Sequence, residues 1–338
     1  MKPKRIRNGP ARLAVRTAAA LAILAGGLAG GPGAALAGPA DGYPSRPVRF
    51  IVPYPPGGST DNVGRVLASK LQDALGQPFV VDNRPGAGAA IGVDLAAKSA
   101  PDGYTILCTT VASLTVNPHL QKLPYDPLKD LVPIAMASLG WMAMVVNNDV
   151  PAHTVQDVVR LAKAAPGTLN FGSPGNGTIS QLYAEVFKLN TGIDIVHVPY
   201  RGSGPAMTDL MGGHIQIFFE SAVLPYVQAG KMRAVGVANK ERWPAIPDVP
   251  TFDEQGVSGV SDLQSWFGVT APAGTPPEIV DKLADRLVKI LAEPDTARRF
   301  ETFGMVPHPL VKEAFAARIR ADYDYYGKLI ARAGIKLD

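Results

Sequence analysis

Beyond residue 42 the apolar positions switch repeatedly between two periods. Runs rich in β-branched and aromatic residues predict strands at 48–52, 79–82, 104–109, 143–147, 169–172, 195–199, 215–219, 232–237 and 267–271. Between them, apolar residues recur at helical spacing over 60–75, 91–99, 155–164, 178–189 and 205–211. The tail reads as helices at 277–292, 296–303 and 311–333. This alternation predicts an α/β protein of parallel sheets covered by helices. In such sheets ligands settle beyond the carboxyl ends of the strands.

Two strand-to-helix connections stand at that position. The first, VPYPPGGSTD, ends the strand with prolines and turns on Gly57 and Gly58, and Ser59, Thr60 and Asp61 are expected to cap the helix. The second, NFGSPGNGTIS, repeats the pattern about 115 residues later, ahead of a helix with Ile179, Leu182, Tyr183, Val186 and Phe187 on one face. Unpaired amides and the positive helix end suit an anion. One such loop is an ordinary connection; a pair, one in each half, is what a clamp around a ligand needs.

Length predicts two domains, with a crossing near 141–148 and a second near 261–266. The assignment is 43–145 plus 265–338 for the first domain and 146–264 for the second. Two crossings make a two-strand hinge suited to closure.

Residues 1–37 read as a signal peptide, from a basic start (Lys2, Lys4, Arg5, Arg7, Arg12, Arg16) through a small-residue apolar stretch to Ala35-Leu36-Ala37. Glycines at 26, 27, 30, 31 and 33 and Pro32 make that stretch a poor membrane helix. Removing its six bases from the 33 Lys and Arg leaves 27 against 29 acids, a net of about −2. A basic face for nucleic acid is therefore not expected. The lone Cys108 forms no internal disulfide and reads as a core residue.

The motifs RPVRFIVPYPPGGSTD, VVDNRPGAGAAIG, SAPDGYTIL, LPYDPLKDLVPI, LNFGSPGNGT, HVPYRGSGPAMTDLMGGHIQ, AGKMRAVGVANKERWPAIPDVPTFDEQG and SWFGVTAPAGTP resemble, in order, the tripartite tricarboxylate transporter receptor family. These are Bug-type periplasmic solute-binding proteins, and the resemblance runs from about Pro44 to the C-terminus. It implies a type II periplasmic binding-protein fold of two α/β domains around a ligand cleft. It also implies a periplasmic monomer that delivers a small organic carboxylate to a membrane permease, without catalysis, cofactor or metal. Carried over by motif, the ligand-binding residues are Tyr54, Gly57, Gly58, Ser59, Thr60 and Asp61, then Thr110 and Ser113 after the third strand. From the opposing domain come Ser173, Gly175, Asn176, Gly177 and Thr178, with Tyr200, Arg201 and Glu220. Two positions depart from the family: Glu220-Ser221 replaces the usual Asp-Asn, and CTTVASL holds less glycine than usual. Both fall where ligand identity is set. Arg201 reads equally as a solvated arginine, and Glu220 reads either as an acceptor for a ligand amine or hydroxyl or as a cap for the following helix. Di- and tricarboxylates, amino acids and aromatic acids all remain open.

Enzyme signatures are weak. The third glycine of GAGAAIG falls one position late for a dinucleotide loop, so close helix-on-strand packing accounts for it better. Gly202-Ser203-Gly204 lacks the nucleophile-elbow spacing, and the five histidines (119, 153, 197, 214, 308) show no metal pairing. An exported α/β hydrolase using Ser59 or Ser173 lacks a visible base. A ligand-sensing receptor is the third possibility.

Overall fold

The protein is described by a computed structural model covering Met1, Ala40 and residues 42–336. The expected signal peptide and its cleavage site lie outside the described residues, apart from Met1. Residues from 42 onward belong to one compact unit.

The first pass of the chain gives β1 (Val48–Val52), α1 (Ser59–Leu75), β2 (Phe79–Asn83), α2 (Ala90–Ala97), β3 (Thr105–Thr110), α3 (Asn117–Leu120) and β4 (Leu131–Gly140). The second gives β5 (Ala143–Val146), α4 (Val155–Ala164), β6 (Asn170–Ser173), α5 (Ile179–Thr191), β7 (Val196–Pro199), α6 (Ser203–Met211), β8 (Ile217–Glu220), α7 (Leu224–Gln228) and β9 (Arg233–Val237). The return gives β10 (Ser265–Pro272), α8 (Pro277–Leu291), α9 (Pro294–Glu301), β11 (Met305–Val311) and α10 (Lys312–Ala333).

The strands form two sheets, ordered β11-β4-β10-β3-β1-β2 and β7-β6-β8-β5-β9. Each has a parallel trio, β2-β1-β3 and β7-β6-β8. Each then takes an antiparallel strand in fourth place, β10 against β3 and β4, and β5 against β8 and β9. The sheets are thus mixed, not all parallel as the alternation predicted. They also repeat one topology, which makes β1–α1 and β6–α5 equivalent connections.

Central strands are buried on both faces, as in β1, where only Arg49 is partly exposed. Val48, Phe50 and Val52 pack with Val63, Leu67 and Leu71 of α1 and Leu283 and Leu287 of α8. Helix α1 ends at Gly76, whose left-handed φ of 73° lets its amide reach the Gln72 carbonyl.

The expected domain boundary after residue 145 falls inside β5, which pairs wholly with the second sheet. The crossing lies at Trp141–Met142: the Trp141 amide donates to the Gly304 carbonyl, and the Met142 amide to Asn239 Oδ1. The chain returns through 238–264 to β10.

Candidate functional site

In the first loop the N-cap of α1 is Gly58, and no side chain caps it. The expected capping by Ser59, Thr60 and Asp61 is therefore corrected: these form the first helical turn, whose amides have no intrahelical acceptor. Asp61 turns away from the cleft. Its carboxylate accepts from the Gly57 amide (2.9 Å), Arg65 Nε (2.8 Å) and Asn83 Nδ2 (2.9 Å), tying the loop to β2. Burial pushes this carboxyl up, but the bonds from Arg65, Asn83 and Gly57 outweigh it and hold it below its ordinary value. The Tyr54 phenol is pushed up to about 12 by burial, against a hydrogen bond with Thr110.

Beyond β3 the chain makes a π-helical stretch, Ala112–Val116, before α3. Thr110 and Ser113 lock its start, the Thr110 amide donating to Ser113 Oγ (3.1 Å) and the Ser113 amide to Thr110 Oγ1 (3.2 Å). Asn117, the first residue of α3, follows, and its Nδ2 donates to the Gly88 carbonyl at 2.5 Å.

On the opposing wall, Thr178 caps α5 and Gly177 donates to Gln181 Oε1 at 2.8 Å. Ser173 Oγ lies 2.7 Å from His197 Nε2, and Gln181 Nε2 lies 3.3 Å from His197 Nδ1. This is the base that sequence reasoning did not find. Ser173, however, is 0% exposed and does not line the cavities described below, so no substrate reaches it along them. The Tyr200 hydroxyl donates to Asp209 at 2.7 Å, and burial together with that carboxylate pushes the phenol up to about 12.

The two walls meet at glycines. A Cβ on Gly58 would lie 3.2 Å from Ser203 Oγ, and one on Gly202 2.8 Å from Pro55. A Cβ on Gly88 would lie 2.3 Å from the Asn176 carbonyl, and one on Gly177 would overlap Asn117 Oδ1. The cleft is closed.

Behind this contact lies an inner cavity of about 50 Å³. Of the expected residues, Tyr54, Gly58, Ser59, Thr60, Thr110, Thr178 and Glu220 line it. Glu220, 5% exposed, joins the two walls across it. Its Oε1 accepts from Ser59 Oγ of the other wall and from the Ser221 (2.8 Å) and Ala222 (3.2 Å) amides, and its Oε2 accepts from Ser203 Oγ (2.5 Å). Outside lies a mouth of about 700 Å³, lined by Gly175, Asn176, Tyr200 and the exposed Arg201, with Tyr54 shared between the two. Gly57, Asp61, Ser113, Ser173 and Gly177 line neither cavity. They shape the loops from behind.

The two departing segments do reach the inner cavity, through Val111, Ala112 and Ser221, but sequence reasoning missed Met142, Ile179 and Phe267 on its apolar side and the hydroxyls of Ser180, Ser203 and Ser265. It also missed Gly86 to Ala89 at the mouth. The expected helix-on-strand packing belongs to Gly92, where a Cβ would lie 2.6 Å from the Arg84 carbonyl. Ser203 had a visible signal, a Gly-Ser pair opening a helix. Met142 and Phe267 had none, because both come from the crossing strands.

Among the described residues no cluster of His, Cys, Asp or Glu could hold a metal, and no helix is long and apolar enough to cross a membrane. Cys108 is buried against the Thr60 carbonyl (3.6 Å), and burial, with the Asp61 charge, pushes its thiol far up.

The profile of the tripartite tricarboxylate transporter family receptor matches residues 63–335. Protein BugT of Bordetella pertussis is 38% identical over 302 residues, covering 88% of this chain and 92% of that protein. Two solved structures share the fold at 32% identity, covering 87% of this chain and 99% of each: R. palustris Rpa4515 with adipate (TM-score 0.84) and the periplasmic binding protein BugD (TM-score 0.83). The architecture is that of these periplasmic binding proteins, as the sequence resemblance implied.

Proposed function

The chain belongs to the tripartite tricarboxylate transporter receptor family, and from that premise we propose that it captures a small organic carboxylate outside the cytoplasm and delivers it to a tripartite tricarboxylate-type permease. The observation that carries this reading is the inner cavity, faced from opposite walls by the uncapped first turn of α1 and the start of α5. Rpa4515, which shares the fold, is described with the dicarboxylate adipate.

Magnitudes agree. Each charge-assisted hydrogen bond gives a carboxylate about 1.5–3 kcal/mol, and a helix terminus adds about 0.3–2 kcal/mol. Association costs at least several kcal/mol, so micromolar affinity, about −8 kcal/mol, is within reach without a buried salt bridge.

The 2.7 Å Ser173–His197 pair gives a hydrolase reading some chemistry. Burial of Ser173, which lines neither cavity, denies its hydroxyl the access that hydrolysis needs.

The test is a thermal-shift screen of ligand-stripped protein against mono-, di- and tricarboxylates, amino acids and aromatic acids. A ligand at a hundred times its Kd stabilises by about 2.7 kcal/mol, enough for a shift of several degrees. A shift with one acid class, recovered unchanged and stoichiometric, supports a receptor. Product release supports the hydrolase, and no shift with any acid overturns the carboxylate reading.

A further inference from the structure

We propose that Glu220 selects the ligand class: an acid with a single carboxylate and a hydrogen-bond donor, an ammonium or hydroxyl, at its other end, in preference to a dicarboxylate. This rests on the receptor reading above and narrows it.

No Lys, Arg or His lines the inner cavity, and Glu220 is its one acidic side chain. Arg201 lies at the mouth instead. The Glu220 carboxylate is fixed by Ser59 and Ser203, which open α1 and α6, and by the Ser221 and Ala222 amides. Both helix starts therefore already face a negative charge supplied by the protein. A dicarboxylate enclosed here would set its second charge against Glu220 with no cation to separate them.

A donor fits instead. Oε1 accepts three hydrogen bonds from the protein and Oε2 only one, so Oε2 keeps a free acceptor site. Ser221 Oγ, on the same lining and 1% exposed, has no hydrogen-bond partner. A buried hydroxyl without a partner beside a carboxylate with a spare lone pair is a place for a polar ligand end. Met142, Phe267 and Ile179 supply an apolar lining for the carbon chain.

The test is calorimetric titration of ligand-stripped full chain with matched acids of four and six carbons: succinate, 4-aminobutanoate and 4-hydroxybutanoate, then adipate, 6-aminohexanoate and 6-hydroxyhexanoate. The amino or hydroxy acid is expected to bind at least about tenfold more tightly than the diacid of its length. Glu220→Gln, which keeps the shape and removes the charge, is expected to bring that ratio to about one or reverse it. Equal or tighter binding of the diacid by the unaltered protein overturns the inference while leaving the receptor reading intact; that comparison stands even if the variant does not fold. An unchanged ratio in a folded Glu220→Gln protein overturns it equally. Binding of none of the six acids overturns this inference, while the receptor reading is decided by the wider thermal-shift screen.

Discussion

Gly177 shows how much of the closed cleft depends on an absent side chain. Its φ of 76° is left-handed, and a Cβ there would overlap Asn117 Oδ1 of the facing wall. Gly177→Ala should cost about 1–2 kcal/mol for the backbone and lower ligand affinity at least about tenfold, because the walls can no longer meet. Calorimetric titration beside a thermal melt separates the two effects. Adding Asn117→Ala should restore affinity in part without recovering the backbone cost. Asp61 makes a different prediction. Its depressed carboxyl contributes stability that is present above its ordinary value near 3.8 and lost as pH falls through the lower folded value. Asp61→Asn should therefore destabilise by about 1.5–3 kcal/mol at pH 7, and the gap should close as urea melts are taken below that value. Cys108 should resist thiol reagents in the native state and react on unfolding, since burial raises its thiol pKa far above the ordinary value.

At the scale of elements, legibility followed the strength of the local pattern. The helix at 155–164 was readable to its ends, because Thr154 and Asp157 form a capping box and the apolar spacing is strict. Strand β1 was equally clear, an unbroken VRFIV run between turn residues. Strands β4 and β11 were not, for a shared reason: prolines. Pro133 sits by a register shift against β10, and β11 carries Pro307 and Pro309 on the sheet edge, with its own shift between Pro307 and Leu310. Local reading penalises proline, while the edge strand β11, and the start of β4 before its pairing with β11 begins at Ala135, tolerate it. The candidate site divided likewise. The glycine loops announced themselves through composition, but the cavity floor is assembled from Met142, Ser265 and Phe267, neighbours only once the chain has crossed twice. The π-helical turn at Ala112–Val116 carries no sequence mark at all.

For the molecule as a whole, the three tryptophans gather at the crossings. Trp141 stacks parallel to Trp243 at 6.4 Å, and Trp266 donates to Asp322 at the start of β10. Gly304 of the first sheet's side leaves no room for a Cβ beside Trp243. If ligand capture closes the cleft by bending at these crossings, intrinsic fluorescence should change on binding, and Trp141→Phe should remove most of that change; a flat signal in a titration that calorimetry shows to be saturating would count against bending there.

Strand β10 lies between β3 and β4, although β4 ends at Gly140 and β10 begins at Ser265. A chain emerging N-terminus first therefore presents three unfilled ribbon edges, one on β3 and both on β4, while the whole second sheet is still being delivered. Among the described residues no strand before β10 fills that gap in the finished fold, so the earlier half stays incomplete until β10 and β11 arrive. A chain cut at residue 264 is therefore expected to aggregate in a refolding assay in which the full chain stays clear.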